Sequence, residues 1–347
     1  MKKAFYIKDF NVEGVGYNAL NKSRLDLHRI YDELGFEALR EKEITVEDEK
    51  FKNMRKNSAR LSGYVSDIIA QIDMKCHPGD YLFMDFPFAI KFMGLSKIAT
   101  YACTKNVKVV FFIHDLDGVR FQNPLLNLMD SSCLDLAHAL ISATPSMDRT
   151  LREELKVSTR PKIVNYRYWD YLCPDVPNDK RNFLLCFAGN LSKSSFLSEI
   201  PDALFRRGVS LYGKGMKTTY KGLFMGEYDP IRIVSEVDGL FGLVWDGKSA
   251  KTCSGNFGKY LRINTSHKFA LYMAARKPVI VWSESPLASI VKERGIGFDV
   301  SSLEQIAFRI SELSLQGYLT MKRNVEEMRK DIISGRHLKD VILSAMK

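Results

Sequence analysis

Short apolar runs alternate along this chain with segments whose apolar residues recur at helical spacing. That alternation predicts βα units built around parallel sheets. Ala4–Ile7 reads as a first strand, followed by a polar, glycine-bearing loop over 9–16. A helix follows from about Ser23 to Leu34, with Leu27, Ile30, Tyr31 and Leu34 on the face that turns to a sheet and Gly35 as its stop. Further strands are expected at Tyr81–Asp85, Val107–His114, Ala139–Ser142 and Lys162–Asn165, with a helix over 89–104 between the first two.

Pro174 and Pro177 interrupt the pattern within a polar stretch, 170–182, that suits neither helix nor central strand and reads as a linker. A second alternating set follows. Its strands are expected at Phe183–Ala188, Val209–Tyr212, Gly222–Met225, Leu240–Trp245, Val279–Trp282 and Gly297–Val300. Helices should fill 229–236, 266–275, 286–294 and 303–313, and 321–346 reads as one charged helical segment. The expected organisation is a first Rossmann-like domain over 1–170, a linker over 171–182, a second domain over 183–320 and a helical tail over 321–347. Two doubly wound, Rossmann-like α/β halves of this kind would face each other across a cleft at the carboxyl ends of their sheets, where such sheets bind ligands.

Composition changes this picture little. With 46% hydrophobic and 27% charged residues in a chain of 347, there is apolar surface enough for two cores and no sign of disorder. The 51 Lys and Arg against 41 Asp and Glu leave a net charge of +10, which favours a phosphate-bearing small molecule or an anionic membrane face, or serves solubility alone. No basic-aromatic module of a nucleic-acid binder accompanies it. Cys76, Cys103, Cys133, Cys173, Cys186 and Cys253 show neither metal-ligand nor disulfide-framework spacing, so reduced thiols and a cytoplasmic location are expected, with no metal. Lys8 and Asp9 cut the first apolar run too short for a signal sequence, and no run approaches the span of a bilayer.

Five places hold candidate chemistry. Gly14-Val15-Gly16-Tyr17 lies between strand and helix, where glycines let a backbone approach a ligand. Ala19 breaks the dinucleotide fingerprint, leaving a tight turn or a cleft wall. The apolar strand ending in His114-Asp115-Leu116-Asp117 places acid-base groups at a sheet edge, or else ends a strand with a capping Asp. Gly189-Asn190 leads to Lys193, which could neutralise a diphosphate beside the turn amides, or forms a bare turn. Finally, Trp245-Asp246-Gly247 opens a glycine-rich loop that runs to Asn264-Thr265-Ser266 and a helix with His267 and Lys268 in its first turn. A cation there opposes the helix dipole, so an anion such as a bound phosphate is expected to compensate it, unless the lysine is merely solvated. Tyr168, Trp169 and Tyr171 read either as an acceptor platform or as packing near the linker.

Phe187-Ala188-Gly189-Asn190-Leu191, Tyr212-Gly213, Gly242–Gly247, Cys253–Tyr260 and His267-Lys268 together resemble the bacterial glucosyltransferases that glycosylate serine-rich-repeat adhesins, within a galactofuranosyltransferase-like group. The resemblance is strongest over 183–300. It implies the GT-B fold, a UDP-sugar donor held mainly by the second domain, an acceptor domain over 1–170, no metal or other cofactor, a glycan or glycoprotein acceptor, and a homotetramer. Carried over, Lys193 and Lys268 would hold the diphosphate. Tyr212 and Asn264–His267 would line the nucleotide pocket, with Asn190, Gly213 and Asp246 around it, and Gly14, Gly16 and Tyr17 would close over the donor. The glutamate pair of many retaining GT-B enzymes is missing, since Ile263 and Leu271 stand at those positions. An inverting reaction would need a base, for which Asp115, Asp117 and then His114 are the candidates. The reading is thus a metal-independent transfer of a hexose, glucose first. Its rivals are galactofuranosyl transfer into a capsular or lipid-linked glycan and a non-catalytic partner subunit.

Overall fold

A computed structural model describes residues 2–8, 12–13, 19–39, 46–47, 54–87 and 93–347. The chain divides into two compact units, Met1–Tyr166 with Leu338–Lys347, and Arg167–His337. Each is built on one six-stranded, wholly parallel sheet.

In the first unit the strands are β1 (Ala4–Tyr6), β2 (Glu37–Ala38), β3 (Tyr81–Phe86), β4 (Lys108–Ile113), β5 (Ala139–Ser142) and β6 (Lys162–Asn165), in the order β2-β1-β3-β4-β5-β6. The chain moves to one side from β1 to β2, then crosses back to β3, so the switch point lies between β1 and β3. Strands β3 and β4 are buried almost throughout, as continuous apolar runs in a covered parallel sheet should be. Helices α1 (Ala19–Glu33), α2 (Met54–Lys75), α3 (Met93–Thr104) and α4 (Pro124–Leu134) belong to this unit. Leu27, Ile30 and Tyr31 of α1 are buried as their spacing requires.

The second unit repeats the plan with β7 (Leu185–Ala188), β8 (Val209–Tyr212), β9 (Leu223–Gly226), β10 (Phe241–Val244), β11 (Val279–Trp282) and β12 (Gly297–Val300), ordered β9-β8-β7-β10-β11-β12. This is the dinucleotide-fold strand order, with its switch point between β7 and β10. Phe187, Leu211, Leu243, Trp245 and Trp282 form its core, and each large apolar side chain so buried contributes about 1.5–3 kcal/mol. Helices α5 (His267–Ala274), α6 (Leu287–Arg294), α7 (Gln305–Ser311) and α8 (Leu315–Ser334) follow.

The expected charged segment over 321–346 is two helices, α8 and α9 (Arg336–Ala345), broken at Gly335, whose φ of +72° is left-handed. The last helix returns to the first unit, where Tyr81 Oη donates to Met346 O and Lys339 Nζ pairs with Glu33 at 2.6 Å. The expected helix over 229–236 shrinks to the single turn Ile233–Glu236. The proline-bearing stretch is pinned to the second unit. Asp175 accepts from Arg276 and pairs with the buried Arg329, and Asn178 donates to Val234 O and Val237 O.

Candidate functional site

At the switch point of the first sheet, β3 carries Asp85 among otherwise apolar neighbours, at 1% exposure. Arg24 and His28 stand four apart on α1 and so share one face. His28 Nε2 lies 3.1 Å from Asp85 Oδ2, and Arg24 Nη1 lies 3.5 Å from that oxygen. On the other side, His114, the residue after β4, places Nε2 3.1 Å from Asp85 Oδ1. Its Nδ1 is 3.4 Å from Ser23 Oγ. Burial tends to raise Asp85, but the His114 and His28 imidazoles turned to it outweigh that and hold it a carboxylate. Burial, aided by Arg24, pushes His114 down to about 4, so its imidazole is neutral near pH 7. Both of its nitrogens face protein groups, which makes His114 a member of the scaffold rather than a side chain offered to a substrate.

Asp115 and Asp117 are more accessible, with side chains 16% and 28% exposed. Arg120 bridges them, 2.8 Å from Asp115 Oδ2 and 2.6 Å from Asp117 Oδ1. Burial pushes Asp115 up to about 6, close to the working range of a general base. The expected capping role is not seen: the turn Asp117–Arg120 begins after Leu116 with no side-chain cap. Beneath this turn, the fully buried Asp130 of α4 accepts from Gly118 N, and burial pushes it up to about 7.

The second sheet delivers a different set to its switch point. Lys268 Nζ donates to both oxygens of Asp246, at 2.9 and 2.8 Å, and lies 5.3 Å over the Phe187 ring. Asp246 follows β10 and Gly189 follows β7, and a Cβ at Gly189 would meet Lys268 Cε at 2.9 Å. Gly213 must be glycine: its φ is +118° and a Cβ there would come within 2.0 Å of Gly189 O. The loop after Asp246 is tied down by Trp245 Nε1 donating to Ser249 O and by Glu199 accepting from Ala250 N. The anion expected to compensate Lys268 is therefore already present within the protein, in Asp246.

The remaining donor candidates divide. Lys193 is exposed, with its ammonium 4.7 Å from the Phe257 ring. Asn190 and Ser266 act as caps, accepting from Ser192 N and Lys268 N, and Asn264 Oδ1 accepts from Thr265 N. Tyr212 is buried, with its hydroxyl donating to Glu236 O and accepting from Asp238 N, so that group is already engaged. Tyr171 and Trp169 flank His267 and Tyr168 stacks on His337 at 3.9 Å, an aromatic packing within this unit. Gly14, Gly16 and Tyr17 lie outside the described residues. Asp85, His28 and Arg24 are additions that the sequence reading did not single out. Their one sequence signal was an Asp inside an apolar strand. Among the described residues no group of His, Cys, Asp and Glu is arranged to hold a metal ion, and no helix is long and apolar enough to cross a membrane.

Comparison with known proteins gives a consistent result. Residues 4–164 match the family model "Glucosyltransferase 3-like, N-terminal domain" and residues 185–345 match "Glucosyltransferase 3-like, C-terminal domain". The chain is 29% identical over 277 residues to beta-1,6-galactofuranosyltransferase WbbI of Escherichia coli K12, covering 76% of this chain and 78% of that one. It is 28% identical over 248 residues to glucosyltransferase 3 of Streptococcus gordonii, covering 70% and 71%. Among solved structures, Anabaena HepE in complex with UDP superposes with a TM-score of 0.59 at 12% identity, covering 99% of each chain. The two parallel-sheet, Rossmann-like domains are those of the GT-B class.

Proposed function

Because the chain belongs to the glucosyltransferase 3-like family, and is a glycosyltransferase, we propose that it moves a hexose, glucose in the first instance, from a UDP-sugar to a sugar hydroxyl on a glycoprotein or glycan without a metal ion. The observation that carries the donor half is Lys268 at the switch point of the second sheet, in the first turn of α5 and against the closely packed turns of Gly189 and Gly213. HepE, a fold relative, is solved with UDP.

In this reading Lys268, joined by Lys193, takes the charge that develops on the leaving diphosphate, the role a metal ion has elsewhere. Asp115 removes the proton of the acceptor hydroxyl as its oxygen bonds to the anomeric carbon. The bond from that carbon to the diphosphate breaks, and UDP departs. Asp117 and Arg120 set the charge around Asp115, while Asp85 fixes His28 and His114 behind it. Asn190, Gly213, Asn264, Ser266 and His267 shape the turns around the nucleotide. The cysteines, all free thiols among the described residues, suit a cytoplasmic enzyme. A homo-oligomer and contact of the +10 surface with a membrane or a large acceptor belong to the same proposal.

The identity to WbbI favours one rival, transfer of galactofuranose by the same site. Calorimetric titration with UDP-glucose, UDP-galactose, UDP-galactofuranose and NAD, with chelator present, separates the readings. Tight binding of UDP-glucose alone supports glucosyl transfer, and preference for UDP-galactofuranose selects the rival. Binding of NAD only, or dependence on a divalent ion, contradicts the proposal.

A further inference from the structure

The Lys268–Asp246 pair has a property that a simple phosphate site lacks. Lys268 is the cation assigned to the diphosphate, yet two hydrogen bonds commit its ammonium to a carboxylate, and the Phe187 ring lies 5.3 Å from it. Its stem is fixed against Gly189, and its side chain is 15% exposed against 26% for Asp246. A phosphate oxygen can reach that ammonium only by sharing it with Asp246 or displacing it. Asp246 is also a negative charge next to the position of an incoming polyanion, and like charges so placed oppose association.

We propose that Asp246 is a clasp on Lys268 that opens to the donor's diphosphate and re-forms as UDP leaves, so that it weakens nucleotide binding and speeds product release. The clasp deepens the donor reading above and rests on it. It reverses the sign expected of an ordinary binding residue: removing the carboxylate should tighten the nucleotide. Holding the ammonium in an internal ion pair also removes the cost of an unpaired cation at the start of α5 while the site is empty.

The test is calorimetric titration of UDP and of uridine into the wild type, Asp246→Asn and Glu327→Gln. The last variant removes one exposed carboxylate of α8, which pairs with Lys330, and so changes net charge equally. Asp246→Asn should bind UDP about tenfold more tightly, a coupling of ordinary size for two groups that compete for one partner. Uridine should bind as it does to the wild type, and Glu327→Gln should match the wild type with both. In turnover, Asp246→Asn should lower KM for the donor and lower kcat with it as UDP release slows, a split that loss of structure does not produce.

Weaker or unchanged UDP binding by Asp246→Asn overturns the clasp and makes Asp246 a support for Lys268. Equal tightening of uridine, or equal tightening by Glu327→Gln, also overturns it. If UDP binds to none of the three proteins, the donor reading fails and the clasp fails with it. Binding by the wild type without the tightening removes the clasp alone.

Discussion

The carboxyl edges of the two sheets share a topology and differ in chemistry. At the first, a carboxylate with 1% exposure is enclosed by two imidazoles and a guanidinium, and the neighbouring Asp115 is lifted toward neutrality. At the second, a single partly exposed pair of Lys268 and Asp246 sits among glycine turns. At the first edge His114, Asp115 and Asp130 change charge between about pH 4 and 7. In the proposed reading the same fold serves proton handling in one half and anion binding in the other, because topology fixes where a site forms and the strand ends decide what it can do.

The largest expected effect breaks the first edge. Asp115→Asn should lower the transfer rate about 10²–10⁴-fold in single-turnover assays, the ordinary range for a lost general base. Full activity there, with loss in Asp117→Asn, would move the base by one turn of the loop. The next effect is on stability. Asp85→Asn removes the buried carboxylate that pairs with Arg24 and faces His28 and His114, and should cost about 3–5 kcal/mol in urea unfolding. Asp246→Asn, in a more exposed pair, should cost only about 0.2–1 kcal/mol. Equal costs would erase the contrast between a buried network and an open pair.

The second edge is probed by Lys268→Ala, which should weaken UDP-glucose binding about 10–100-fold, as expected for a lost hydrogen bond from a charged donor. The smallest effects are those of pH. Transfer should rise as pH increases through about 6, when Asp115 loses its proton. UDP-glucose binding should stay level over the same range, since a diphosphate diester keeps its charge there and Asp115 is assigned to transfer rather than to the donor.

For stability the signs oppose one another. The folded state holds the Asp115 proton longer than the unfolded chain, so this carboxyl stabilises the fold at low pH and loses that contribution as pH rises through about 6. Folded His114 resists protonation down to about 4, so its contribution is lost as pH falls below the usual histidine range toward that value. In His114→Gln only the Asp115 slope of this pair should remain, visible as a melting temperature that declines more steeply between pH 4 and 6 than in the wild type.

The two edges were not equally legible in the sequence. Most strands stand where apolar runs placed them, because a buried parallel strand needs such a run. Glu37–Ala38 has none and pairs only at the sheet edge, so it gave no signal. Helix α4 also went unassigned, α2 is legible only in part, as a solvated basic helix face over 50–60, and Gly335 divides a charged stretch whose helical character was clear. The second edge showed itself through local features: turn glycines, capping residues and a lysine in a helix's first turn. What could not be read was its partner, since Asp246 comes from a different strand end, 22 residues away. The first edge was legible only at His114-Asp115-Leu116-Asp117. Its organising carboxylate meets His28 across 57 residues of chain, a contact that tertiary folding alone creates.

The division between the two edges is tested most directly by titrating UDP-glucose at pH 7, with chelator, into the wild type, Asp115→Asn and Lys268→Ala side by side. Asp115→Asn is expected to bind the donor as the wild type does, within about twofold, while Lys268→Ala binds it at least about tenfold more weakly. A loss of donor binding in Asp115→Asn with Lys268→Ala unaffected would contradict the assignment of the two halves.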